Sequence, residues 1–159
     1  NENKYFFNFI NNGSFIKFFV LLIFIQITLG AFTSGLDAGK IYQTWPSMNN
    51  NFFPDDINLS DLNKTDFFSD PSIVQFLHRN MAYVIFLYIL GISIYIFSKK
   101  LSYLYTPLFY VLAMVFVQIF LGVITLVSGL NIIYASLHQI STTLLLITSI
   151  NLSFIFKKE

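Results

Sequence analysis

The stretch Ser72–Phe97, "SIVQFLHRNMAYVIFLYILGISIYIF", decides the fold. About 20 mostly apolar residues suffice for a helix to cross a bilayer, and this run exceeds that length. Yet it carries His78 beside Arg79, in a chain with two histidines and a single arginine. Ionisable groups within a spanning helix are costly and mark function by default. Three more segments have the same length and greasiness: Phe15–Ser34, Pro107–Val127 and Ile132–Phe156. The expected fold is therefore an all-α membrane protein, a single domain of four transmembrane helices over residues 1–159.

Composition agrees. The chain is 55% hydrophobic and 19% aromatic, with only 11% charged residues and a mean hydropathy of +0.67. A soluble domain carries about a quarter charged residues. The net charge of +1 gives no broad basic surface for nucleic acid. The absence of cysteine excludes disulfides, thiol catalysis and thiolate metal sites. The first apolar run is too long for a signal peptide and lacks a small-residue cleavage site.

Lysines orient the spans. Lys4 and Lys17 stand at the head of the first, Lys99 and Lys100 follow the second, and Lys157 and Lys158 follow the fourth. Under the positive-inside rule these ends share the inner side, with both termini. The segment 35–71, with Asp37, Asp55, Asp56, Asp61, Asp66 and Asp70, then lies outside, as does the Ser128–Asn131 link. Tyr42, Trp45, Phe52 and Phe53 suit a cap over the outer helix ends, with Trp45 an interfacial anchor.

The first and third spans repeat. "QITLGAFTSGL" begins at Gln26 and "QIFLGVITLVSGL" at Gln118. The span after each carries one histidine. The chain thus reads as two pseudo-symmetric helix pairs of parallel topology, related by an axis along the membrane normal. Asp70 and Asn131 are candidate N-caps of the second and fourth spans, Asp70 being followed by a favoured first-position Pro71. Each histidine then sits about 10 Å inward from the outer end, at 1.5 Å per residue. Two histidines with no Cys, Asp or Glu in the spans cannot complete a zinc site. A haem iron needs only two axial ligands, so His78 and His138 are the candidate iron ligands. Gly30 and Gly122 would clear room for the macrocycle or serve close helix packing, with Ala82 and Thr142 keeping the same faces small. Arg79 can pair with a haem propionate through parallel hydrogen bonds. Lys40 is a weaker candidate for the second propionate. Gln26 and Gln118 are expected to bridge helices.

Four pieces, "LGAFTSGLDAGKIYQTWPSM", "QFLHRNMAY", "QIFLGVITL" and "SLHQ", together resemble the second half of the haem A synthase family, from Phe18 to Leu146. The resemblance implies an oxidoreductase of cytochrome oxidase assembly, oxidising a methyl group of haem O to the formyl group of haem A. It implies two similar four-helix halves, the second holding a haem b that His78 and His138 would ligate. The family's catalytic acid, a Glu three residues before a first-half histidine, corresponds here to the neutral Gln75. No residue of this chain is therefore expected to be catalytic. The missing half of the enzyme, or a second copy, is the expected partner, besides haem, lipid and oxidase assembly factors. A fragment of a longer protein is expected, since the chain begins with Asn. The expected location is the bacterial plasma membrane or the mitochondrial inner membrane. The competing readings are a stand-alone bis-histidine b-type cytochrome that relays electrons, and a non-catalytic assembly scaffold.

Overall fold

The computed structural model describes residues 13–57 and 68–158. Lys4, Asp61, Lys64 and Asp66 lie outside them. Four long helices carry the fold: α1 (Ser14–Gly35), α2 (Pro71–Ser98), α3 (Tyr105–Val127) and α4 (Ile132–Lys158). All four are long and apolar enough to cross a membrane. They match the expected spans to within two residues at each end. In hydrocarbon every backbone N–H and C=O must be satisfied within the chain, which leaves such segments no option but helix.

The caps form as their residues dictate. The Asp70 carboxylate accepts from the Ile73 N–H at 3.0 Å, with Pro71 in the first turn. The Asn131 side chain accepts from the Ile133 N–H at 2.9 Å and starts α4. α1 packs chiefly on α2 and α3 chiefly on α4, and the two pairs join mainly through α1 and α4.

The ends of the bundle differ. At one end the start of α1 meets the end of α4. Gly13, at φ +66°, lies so close to Phe156 that an added Cβ would fall 2.6 Å from the ring. Phe15 stacks edge-on against both Phe156 and Tyr95. At the other end Leu130, in the α3–α4 link, packs on Gly39 of the 3₁₀ helix Ala38–Lys40. The short link and the long α1–α2 segment thus share one end, opposite the two termini of the helical bundle.

The apolar core fills the terminal end. It comprises Ile16, Phe19 and Ile23 of α1, Ile85, Ile89, Ile92 and Ile96 of α2, Leu108, Val111 and Val115 of α3, and Leu152 of α4. The α2 isoleucines recur at steps of four, three and four, one stripe of the helix. Toward the loop end this packing stops. From Phe116 to Ile140 no residue is fully buried.

Candidate functional site

His78 on α2 and His138 on α4 both lie in the loop half of the bundle, each against the glycine of the other helix in its own pair. A Cβ built on Gly30 would sit 3.2 Å from Cε1 of His78, and one on Gly122 would sit 3.2 Å from Cε1 of His138. So these glycines admit the imidazole itself at close range. Spacing placed glycine and histidine on facing helices, but it carried no distance.

The glutamines grip the same histidines from one turn away. Gln26 Nε2 donates to the His78 carbonyl at 3.2 Å, and Gln118 Nε2 donates to the His138 carbonyl at 3.2 Å. The helix-bridging role expected of both glutamines is what they perform. Gln26 Nε2 also lies 3.5 Å from His78 Nε2.

The pairs differ three and four residues beyond the histidine. Thr142 Oγ1 donates to Gln118 Oε1 at 3.2 Å, and Ser141 Oγ accepts from Gln118 Nε2 at 2.6 Å. Gln118 is therefore fully engaged. In the first pair Met81 and Ala82 stand at these places, and Gln26 Oε1 has no partner. The hydroxyl of Thr142 matters, not only its small size.

Arg79 points to the cap. Its guanidinium donates to the carbonyls of Tyr42 at 2.8 Å, Thr44 at 2.9 Å and Ser47 at 3.3 Å. One turn earlier, Gln75 is 2% exposed and donates to the same Tyr42 carbonyl at 2.9 Å. Lys40 pairs with Asp37 at 2.8 Å, in the open. Trp45 is exposed.

Sequence reasoning missed a knot that ties the cap down. The buried Tyr42 hydroxyl lies 2.5 Å from Asp55 Oδ1 and 2.7 Å from Asp56 Oδ1, and accepts from the Asp55 N–H at 3.1 Å. Its one proton is shared between two carboxylates. Ser72 Oγ, in the first turn of α2, donates to Asp56 Oδ2 at 2.5 Å. Burial, then the two carboxylates, push the Tyr42 phenol up, so it stays a donor. The Tyr42 bond holds the Asp55 carboxyl below its ordinary value. The only sequence signal was the Asp55-Asp56 pair, whose partner is set by chain closure rather than by periodicity.

Five buried side-chain atoms have no hydrogen-bond partner among the described residues: Gln26 Oε1, Gln75 Oε1, His78 Nδ1, Arg79 Nε and His138 Nδ1. All belong to the loop half. The fit to a haem rests on these features. Each imidazole lies against a glycine, a glutamine bonds the main-chain carbonyl of the same histidine, and each Nδ1 has no hydrogen-bond partner among the described residues. The donor set suits a haem iron, which asks for two axial nitrogens and nothing more from the protein.

The fold and these residues define a multi-pass helical membrane protein with a paired-histidine level in one half of its bundle. Residues 11–150 match the family described as cytochrome oxidase assembly protein (COX15-CtaA), and the chain belongs to it. The "Heme A synthase" of Pelagibacter ubique is 50% identical over 132 residues, covering 83% of this chain and 39% of its own length. That of Rickettsia prowazekii is 36% identical over 140 residues, covering 88% of this chain and 42% of its own length. The chain thus spans about two fifths of the curated relatives it matches, between 39% and 42% in these two. No solved structure matches it.

Proposed function

We propose that this chain is the second, haem-b-holding half of a haem A synthase, serving haem A formation for cytochrome oxidase. In this reading His78 and His138 are the axial ligands of the iron. When bound, the haem supplies a one-electron redox centre. The rest is the work of the chain's own residues. Gly30 and Gly122 let each imidazole lie against a helix backbone. Gln26 and Gln118 fix the turns that carry them. Arg79, whose Nε has no partner among the described residues, keeps one donor for a propionate while its other nitrogens hold the cap.

Gln75 is neutral and bound to the Tyr42 carbonyl, so it moves no proton. The acid–base chemistry then belongs to the part of the relatives' length that this chain does not span, or to a second copy, packed against this bundle. The repeated grip relates the two helix pairs by a pseudo-two-fold axis. By the positive-inside rule the lysine-bearing end and both termini face inward, and the histidine level lies in the outer leaflet of a bacterial plasma membrane or mitochondrial inner membrane.

The observation that carries this reading is the repetition: one glycine contact of 3.2 Å and one glutamine bond of 3.2 Å at each of the two histidines. The test is to supply haem to the purified chain and record its reduced spectrum, with pyridine extraction to identify the haem. A low-spin bis-histidine spectrum of haem b is expected, lost in His78→Ala and in His138→Ala. A folded wild-type chain that takes up no haem would end the proposal.

A further inference from the structure

The lysine-bearing end holds a second feature, independent of the histidines. From Pro71 to Lys158, and from Gly13 to Leu36, the chain has no Asp or Glu. Every described carboxylate side chain (Asp37, Asp55, Asp56, Asp70) lies in or beside the α1–α2 segment. Lys17, Lys99, Lys100 and Lys157 therefore have no described acidic neighbour. Among the described residues the one ion pair is Lys40–Asp37.

Two of these lysines meet over a groove. Lys17 and Val20 of α1 face Ile150, Ser153, Phe154 and Lys157 of α4 across a space of about 310 Å³. The α4 residues fall at i, i+3, i+4 and i+7, a single stripe of the helix. The helix ends are in contact here, Gly13 and Phe15 both packing on Phe156. The two ammonium groups thus come from helices packed against each other. Below them the walls are apolar and open to lipid, with Ile150 and Phe154 exposed. Ser149 returns its hydroxyl to the Leu145 carbonyl at 2.7 Å, as helical serines do. Ser153, one turn on, has no hydrogen bond among the described residues and remains free to donate.

Two cations and a hydroxyl above an apolar floor match the boundary of one lipid: a phosphate at the top and an acyl chain beneath. We propose that the α1–α4 groove binds an anionic phospholipid, its headgroup phosphate between Lys17 and Lys157 and its chain along Val20, Ile150 and Phe154. A basic pocket between spanning helices at the inner surface is a physical basis for such selection. Lys17, a turn inside α1, reaches upward along its own stem to meet the headgroup.

Native mass spectrometry of the chain in detergent, with phosphatidylglycerol and phosphatidylcholine of identical acyl chains, tests this. The wild type should retain phosphatidylglycerol selectively. Each of Lys17→Gln and Lys157→Gln should lower the selectivity by about fivefold. Lys99→Gln with Lys100→Gln, at the same end but outside the groove, should leave it unchanged. Ile150→Trp keeps every charge while filling the groove, and should abolish it. Three results would overturn the proposal: equal retention of both lipids, a loss in the Lys99/Lys100 pair as large as in the groove lysines, or inorganic phosphate competing as well as the lipid does. The first removes selectivity, the second leaves only a diffuse positive field, and the third dispenses with the acyl chain.

Discussion

Replacing Gly30 or Gly122 by alanine tests the histidine grip without touching a ligand. The added Cβ would lie 3.2 Å from Cε1 of His78 or of His138. Carbon atoms prefer about 3.5–4.0 Å, so the ring must retreat by a few tenths of an ångström. Gly91, on α2, has nothing within 4 Å of its own added Cβ. Gly91→Ala therefore measures the backbone gain alone, about 0.5–1 kcal/mol in a helix interior. Overpacking a filled site costs about 1–3 kcal/mol. With the ring held in place by a bound iron, the difference between Gly91→Ala and Gly30→Ala should equal that cost.

Where the cost falls matters more. A free imidazole can rotate away from the new methyl group, so the unliganded protein evades much of the strain. Binding iron requires the ring back in its place. Haem affinity should then fall by about 5- to 150-fold, the same 1–3 kcal/mol expressed as a dissociation constant. Haem titration of the three variants, followed by absorbance, measures it. Gly30→Ala and Gly122→Ala should fall alike, since their contacts are equal, while Gly91→Ala binds as the wild type does. Three indistinguishable variants would refute the idea that the glycines seat the ligands.

Acid should loosen the cap through Asp55. Its carboxyl is held below the ordinary value by Tyr42, so the stabilisation is present above about pH 4 and lost as pH falls through the depressed folded value. The emission of Trp45, the sole tryptophan and part of the cap, should change in that acid range. In Tyr42→Phe it should already resemble the acid form at neutral pH and titrate weakly; a wild-type titration in this variant would remove the linkage. Arg79→Lys replaces a planar fork on three carbonyls by a point charge. Proteolysis between residues 42 and 57 should speed up, and haem binding should weaken several-fold. Unchanged cleavage would show that Arg79 does not hold the cap, and unchanged haem affinity would remove its propionate role.

The helices were legible because length and hydropathy alone decide whether a segment can span a bilayer, and Asp70, Pro71 and Asn131 announce where two of them begin. The common register of His78 and His138 followed from those caps. What the sequence concealed were distances and long-range closures. Gly30 and Gly122 read as clearance for a large ring, because spacing tells which residues share a face but not how near the faces come. The three loop carbonyls that take Arg79 have no periodicity to betray them. Ala82 and Thr142 read as equivalent small residues, yet only Thr142 completes the hydrogen bonds of its glutamine.

That last asymmetry bears on where ligand chemistry belongs. An unsatisfied polar group in hydrocarbon costs several kcal/mol. The terminal half of the bundle avoids the cost with isoleucine, leucine, valine and phenylalanine, and its buried serines, Ser93 and Ser149, return their hydroxyls to their own helices. All five unpartnered buried atoms fall instead on Gln26, Gln75, His78, Arg79 and His138. Selection for stability alone would replace these with apolar residues of similar size, since an apolar substitute is often neutral or better than a buried charged or polar group. Their concentration at one level, next to two imidazoles, is what a site built to be completed by a bound group requires. Gln26→Leu separates the two cases: a stabilised bundle with weakened haem binding marks a ligand site, whereas a stabilised bundle with unchanged haem binding would make the polar level incidental.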